Sequence, residues 1–222
     1  MIFLVLLAWR WPYLLDPNQY NPDESQMIAG AITVENKPDF WRSLDGTTSG
    51  PLNALVLLPT HWLGVPQDFF NARLTGLLLI WGAWSASFSL LRRWMGQVEA
   101  FAALLPAVMF LGSATELDIL HYSSEQLPVA LSCIGVWLLA VAGDRGFRGW
   151  SWWFGGIPIG LLPWAKLQAG PLAAMLSVWA CGWVMITLKE SWQDRLKRYA
   201  LLAVAVLLPT LLLASIYVGS GQ

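Results

Sequence analysis

Long apolar runs separated by short polar links make up most of the chain. A helix that spans a membrane needs about 20 mostly apolar residues. Seven runs approach that length, although several are short: Met1–Leu15, Leu74–Leu91, Val98–Leu111, Leu127–Ala142, Trp150–Trp164, Gly170–Leu188 and Tyr199–Val218. The pattern therefore predicts an all-α fold, a polytopic membrane helical bundle of about seven transmembrane helices.

Two segments between the first and second predicted spans differ from the other links. Residues 16–50 form the one long polar segment, and a loop of that length in a compact protein is usually functional. Residues 51–63 are apolar but too short to span a bilayer, so we expect a helix lying on or dipping into the interface. We treat 1–222 as a single transmembrane domain with a helical outer loop.

Composition narrows the class of protein. Hydrophobic residues make up 56% of the chain and charged residues only 12%, whereas a soluble domain carries roughly 25% charged residues. The 15 tryptophans suit the boundary between apolar and polar environments at a bilayer surface. A formal net charge of -1 provides no basic field to attract nucleic acid. These numbers exclude a nucleic-acid-binding protein and favour an integral membrane protein.

Basic residues predict the direction of the spans, because cytoplasmic links are rich in Lys and Arg. The links around residues 92–93, 145–148 and 189–198 hold eight of the 13 Lys and Arg residues. Seven alternating spans place all three links on one side, which we assign to the cytoplasm. The opposite side receives ten of the 14 acidic residues. The localisation that follows is a multi-pass plasma or bacterial inner membrane, with the long polar loop outside.

Adjacent carboxylates, Asp23 and Glu24, follow Pro22 at the start of the outer loop. Pro22 suits the first turn of a helix, and a helix N-terminus stabilises acidic side chains. A capped helix with two solvated acids would explain the pair. If the loop packs on the bundle, one carboxylate instead serves as general base toward a hydroxyl.

Two further polar groups lie on the outer side. Thr48, Ser49 and Asn53 belong to a flexible turn that could offer hydroxyl and amide groups to an anionic ligand, or form an ordinary loop. His121, Tyr122 and Glu125 precede the fourth span. Glu125 is either an interface residue or a site residue that points into the bundle. His121 has no second histidine at helical spacing, so we expect no metal site.

Three cations lie at one predicted depth near the outer face. Arg10 is in the outer end of the first span, Arg73 precedes the second, and Lys166 occupies a short turn between two later spans. One reading is that the Lys166 side chain only extends its amine to water, as long basic side chains do at membrane interfaces. The alternative is that the three side chains bind a lipid-linked phosphate at the outer leaflet.

The order of these motifs resembles the GT-C superfamily of membrane glycosyltransferases, over about residues 1 to 190. The branch it resembles comprises protein O-mannosyltransferases, aminoarabinose transferases and RgtA-like bacterial relatives. The resemblance is carried by the outer Arg10, Asp23-Glu24, Gly50-Pro51-Leu52-Asn53, Asn71-Ala72-Arg73-Leu74, Ser124 to Pro128, and Lys166-Leu167-Gln168.

The resemblance implies an enzyme that transfers a sugar from a polyprenyl-phosphate donor to an acceptor hydroxyl on the outer face, with inversion. By matched position Asp23 would be the general base, with Glu24 and Glu125 as further acidic residues of the catalytic site. Lys166, Arg73 and Arg10 would bind the donor phosphate. The implied partners are the lipid-linked donor, a lipid, glycan or protein acceptor, and membrane lipids; no cofactor is expected.

Relatives in this superfamily usually have more spans, so we expect the 222 residues to be part of a longer enzyme. Two other classes of function stay open at this point. One is a secondary transporter or lipid flippase, which would carry polar residues near the bilayer midplane. The other is a non-catalytic membrane partner.

Overall fold

The computed structural model describes residues 2–16, 20–37, 40–44, 49–147, 150–188 and 191–219. These residues form helices and no β-strand. The helices are α1 (Ile2–Leu15), α2 (Pro22–Asn36), α3 (Phe40–Ser43), α4 (Pro51–Leu55), α5 (Leu58–Trp62), α6 (Phe69–Leu91), α7 (Gln97–Ser113), α8 (Leu117–Leu120), α9 (Gln126–Asp144), α10 (Trp150–Ala165), α11 (Gly170–Thr187) and α12 (Trp192–Gly219). The prediction of an all-α fold is confirmed.

Each of the seven predicted spans coincides with a helix, but the helices differ in length. Within the described residues, four helices are long and apolar enough to cross a membrane: Phe69–Leu91, Gln126–Asp144, Leu167–Thr187 and Trp192–Gly219. The first of these starts several residues before the predicted Leu74, because Asp68 caps it by accepting the Asn71 N–H at 3.0 Å. Helices α1, α7 and α10 have 14, 17 and 16 residues, so a count of seven spans stays a prediction.

Packing of α9 on α6 and α10, and of α10 on α12, forms the centre of the bundle. Close approach of α10 and α12 depends on Gly160, where a Cβ would lie 2.0 Å from the Val206 carbonyl oxygen. Small residues commonly allow such contacts between membrane helices. Apolar side chains of α11 and α12 remain exposed, among them Val178 and Ile186, as expected for surfaces that face lipid.

The polar loop contains a helix that packs onto the bundle. Asn21 caps α2 by accepting the Asp23 N–H at 2.9 Å, and Pro22 occupies the first helical position. The face of α2 that carries Glu24 also buries Met27, Ile28 and Ala31, in a core cluster shared with α4 and α6. The segment predicted as one interfacial helix is two short helices, α4 and α5, and buried residues of both join that cluster.

Candidate functional site

A buried ion pair lies at the end of the bundle where α1 ends and α2, α6 and α9 begin; we call it the Glu24 end. The Glu24 side chain is fully buried. Its carboxylate lies 3.2 Å from Arg73 Nη2 and also accepts hydrogen bonds from Arg73 Nε. The Tyr122 N–H donates to it at 3.2 Å. Burial raises the pKa of Glu24 above its ordinary value, although Arg73 and the Tyr122 amide both oppose that shift.

Arg73 joins three elements of the chain at this end. Its Nη1 donates to the carbonyl oxygens of Tyr13 and Asp16, each at 2.7 Å, so the guanidinium holds the end of α1 as well as Glu24 on α2. A donor phosphate would therefore compete with acceptors already bound to Arg73. The side chain borders a cavity of about 320 Å³ whose lining includes Asp16, Tyr20 and Phe69.

His121 lies against the buried ion pair. Its side chain is 1% exposed, and Nδ1 is 3.4 Å from a Glu24 carboxylate oxygen without the alignment of a hydrogen bond. Burial, together with the charge of Arg73, lowers the pKa of His121 to about 4. The imidazole is therefore neutral at pH 7.

Arg10 reaches the same region from α1. Its Nη1 donates to the Leu120 carbonyl oxygen at 2.9 Å, one residue before His121, and the side chain is only 3% exposed. Within the described residues, Nε and Nη2 of Arg10 have no hydrogen-bond partner. The side chain thus has donor capacity to spare, in a position shielded from bulk solvent.

Asn53 and Tyr122 connect the buried pair to the turn that carries Lys166. The Tyr122 hydroxyl donates to the Asn53 carbonyl oxygen at 2.9 Å. Asn53 Nδ2 donates to the carbonyl oxygens of Ala165 at 2.7 Å and Ser124 at 3.4 Å. Both side chains are fully buried, and burial raises the pKa of Tyr122 above its ordinary value. Asn53 is therefore part of the framework beneath the Lys166 turn.

Lys166 and Glu125 form a second ion pair at the surface of this framework. Lys166 Nζ donates to Glu125 and, at 3.0 Å, to the Ser124 hydroxyl. The Glu125 side chain is 62% exposed. Although partial burial raises its pKa, the hydrogen bond and charge of Lys166 bring the pKa of Glu125 below its ordinary value. Ser49 forms an antiparallel bridge with Lys166.

Gly50 permits the close approach of the Ser49 turn to α10. Its N–H donates to the Ala165 carbonyl oxygen at 2.9 Å, and a Cβ at Gly50 would lie 1.8 Å from the Trp164 carbonyl oxygen. Only glycine fits this contact without movement of the backbone. Thr48, predicted for the same substrate loop, lies outside the described residues.

The adjacent carboxylates point in different directions. Successive helical residues are about 100° apart around the axis, so burial of Glu24 leaves Asp23 exposed. Of the two carboxylates, Glu24 is therefore the one that turns into the bundle. Hydrogen bonds connect one group of predicted site residues in a single region: Glu24, Arg73, Tyr122, Asn53, Ser49, Lys166 and Glu125. His121 packs against Glu24 in the same region, and Asp23 lies on its exposed side.

Sequence reasoning missed Asn21. Its Nδ2 donates to the Asp118 carboxylate at 2.8 Å while its Oδ1 caps α2, so one side chain connects α8 to the helix that carries Asp23. Pro22 indicated the start of a helix, but no local pattern could reveal that Asn21 has a partner 97 residues away.

Within the described residues, no group of three or more His, Cys, Asp or Glu side chains could hold a metal ion. Comparison with protein-family models, with curated proteins and with solved structures finds no significant match. The site therefore offers the exposed Asp23 carboxylate and the half-buried Lys166 amine. Both are attached to a buried, hydrogen-bonded framework at one end of an apolar bundle.

Proposed function

We propose that the protein is a membrane glycosyltransferase that moves a sugar from a polyprenyl-phosphate donor to an acceptor hydroxyl, with inversion. The Glu24 end faces outward, and the seven long apolar segments all cross the membrane. Clustering of the outer-loop polar residues at one end of the helices supports this reading. The distribution of basic residues among the links also supports an outward orientation of this end.

Asp23 serves as the general base. A base must reach the acceptor, and Asp23 is exposed at the first turn of α2 while its neighbour Glu24 is bound to Arg73. The acceptor hydroxyl loses its proton to the Asp23 carboxylate as its oxygen attacks the anomeric carbon. The bond from that carbon to the phosphate oxygen breaks, and its electron pair leaves with the polyprenyl phosphate.

Lys166 is the residue that meets the donor phosphate. The phosphate takes up negative charge as it leaves, and a fixed cation stabilises that charge most where water is excluded. The ion pair of Lys166 with the largely exposed Glu125 is weak enough to be exchanged for a phosphate. Arg73 anchors the framework instead, because its donors already bind Glu24, Tyr13 and Asp16.

The observation that carries the proposal is the division of the carboxylates: Glu24 is held in the framework and Asp23 is free to meet a substrate. A transporter would instead place its polar residues near the bilayer midplane. In a non-catalytic membrane partner the same framework would only stabilise the fold. An activity measurement distinguishes such a partner from an enzyme.

Transfer of radiolabelled sugar from polyprenyl-phosphate donors tests the proposal, in membranes that contain the full natural reading frame. Asp23→Asn should lower transfer roughly 10²–10⁴-fold, the usual contribution of a general base. Glu99→Gln is the matched control, since Glu99 is an exposed acid in the first turn of α7. Equal transfer by both variants would refute the role of Asp23. Absence of transfer from every donor would refute the enzyme class.

A further inference from the structure

A cleft of about 190 Å³ lies between α6 and α9 at the Glu24 end. Its inner walls are apolar and include Ala83 and Trp84 of α6 and Leu111 of α7. Val129 of α9 stands at its edge with 53% of its surface exposed. The cleft is therefore open on the side of α9 that faces away from the bundle, where a lipid chain can enter sideways.

Polar side chains line the opposite part of the cleft, nearest the Glu24 end. They include the exposed carboxylates of Asp118 and Glu125 and the amide of Gln126. Gln126 Nε2 donates to the His121 carbonyl oxygen at 2.7 Å. Gln126 Oε1 is shielded from solvent and has no hydrogen-bond partner among the described residues. This rim therefore offers the exposed carboxylates of Asp118 and Glu125 as hydrogen-bond acceptors. Gln126 Oε1 is instead packed against Gly76 of α6, where a Cβ would lie 2.4 Å from it.

The rim is connected directly to the residue that we propose as the base. The Asn21 side chain donates to Asp118 at 2.8 Å and accepts the Asp23 N–H at 2.9 Å. A head group seated against Asp118 therefore lies beside the N-terminus of α2. The Lys166 amine binds Glu125 on the same rim, so the proposed phosphate position is its neighbour.

We propose that this cleft is the acceptor site and that its occupant is a membrane amphiphile with a neutral or cationic, hydroxyl-bearing head group. The inference rests on the proposed transferase function. Hydroxyl groups supply the donors that the exposed carboxylates of Asp118 and Glu125 can accept. The cleft is lined by the carboxylates of Asp118 and Glu125. Together with Lys166, which pairs with Glu125 from outside the lining, these side chains carry a net charge of -1, which disfavours the anionic donor lipid in this cleft.

The size of the cleft limits what it can hold. An engineered apolar cavity of roughly 150 Å³ binds benzene, and the present cleft is only slightly larger. It therefore accommodates the first few carbons of one chain next to the head group. The remainder of the chain would lie in the bilayer beside Val129.

Photolabelling of the full-length protein in membranes tests the proposal without requiring turnover. The probes are a diazirine-bearing alkyl glycerol, which is neutral, and the alkyl phosphate of the same chain length. We expect the alkyl glycerol to label peptides from α6 and α9 about tenfold more strongly than the alkyl phosphate. Val129→Trp, at the exposed edge, should lower that labelling about tenfold, and Ala83→Leu should do the same by filling the interior.

Ser85→Leu is the matched control, since Ser85 lies on the same helix but borders a different cavity, with Phe3 and Trp81. Equal or stronger labelling by the alkyl phosphate overturns the proposal, as does labelling that Val129→Trp leaves unchanged. Absence of label in α6 and α9 overturns it as well. Labelling of the cleft without sugar transfer would refute the transferase function and leave the lipid cleft standing. Sugar transfer without labelling would refute the lipid cleft and leave the transferase function standing.

Discussion

The Glu24 carboxylate lies 3.2 Å from the Arg73 guanidinium, although both side chains are almost completely shielded from solvent. Two charges removed from water are stable only when each has its partner and further hydrogen bonds. Both conditions are met, by the Tyr122 amide on one side and by the Tyr13 and Asp16 carbonyls on the other. The pair therefore fixes the positions of α1, α2 and α6 relative to the loop before α9.

Glu24→Gln should destabilise the fold by about 3–5 kcal/mol, because it leaves the Arg73 charge buried without compensation. The adjacent Asp23→Asn is the control, and it should change stability by less than about 1 kcal/mol, the usual size of an interaction with a helix dipole. Thermal unfolding of the purified proteins in detergent measures both. Similar melting temperatures for the two variants would show that the buried pair does not hold the fold.

Stability should fall as the pH drops from about 6.5 toward 4. The folded protein keeps His121 neutral with a pKa of about 4, whereas the unfolded chain takes up a proton near pH 6.5. The unfolded state therefore binds more protons in this window, at a maximum slope of roughly 1.4 kcal/mol per pH unit. The raised pKa of Glu24 acts in the opposite direction, since the folded state binds that proton more readily.

His121→Gln separates these contributions, because it removes the titrating ring and keeps a polar side chain. Arg10, Arg73, Asp16 and Asp118 also act on His121 and remain in the variant. Melting temperatures measured between pH 7 and pH 5 should decline less steeply for His121→Gln than for the natural protein. Parallel pH profiles would rule out His121 as the source of the slope.

Gly50→Ala should separate the Ser49 turn from the Lys166 turn. The added methyl group would meet the Trp164 carbonyl oxygen, which belongs to the backbone of α10 and cannot move aside cheaply. The hydrogen bond from Gly50 to Ala165 would then be lost. Gly82→Ala is the matched control, since nothing lies near its added Cβ and alanine favours a helix.

Protease sensitivity of the loop before Pro51 and the melting temperature check this comparison. We expect faster cleavage and lower stability for Gly50→Ala only. Equal behaviour of the two alanine variants would mean that the contact of Gly50 with α10 does not determine the position of the loop.

Sequence patterns predicted the helices better than the contacts between them. The apolar runs predicted a helix at each span, because an apolar run of that length leaves few alternatives in a membrane. The start of α6 was missed because the cap at Asp68 precedes the apolar run. The break between α4 and α5 was missed because both halves are apolar, and hydropathy does not distinguish one helix from two.

The sequence predicted which residues belong to the candidate site, but not how their side chains are arranged. Grouping of Arg73, Glu24 and Lys166 near one predicted face followed from the order of spans and loops. The sequence could not tell which of Asp23 and Glu24 turns inward, because that depends on the rotation of α2 against α6. Nor could it separate Arg73, bound to three acceptor residues, from Lys166, whose single carboxylate partner is largely exposed.

Lys166→Gln should raise the KM for the polyprenyl-phosphate donor about tenfold, the equivalent of one lost charge-assisted hydrogen bond. Stability should change little, because the partner Glu125 is mostly exposed. Glu125→Gln should lower the donor KM, since the phosphate no longer competes with a carboxylate for Lys166. Raised salt should reduce the difference between the two variants.

Lys197→Gln is the control, a lysine 73% exposed near the start of α12. An unchanged donor KM in Lys166→Gln would exclude Lys166 from the phosphate site, and a melting temperature as low as that of Glu24→Gln would assign it to the framework.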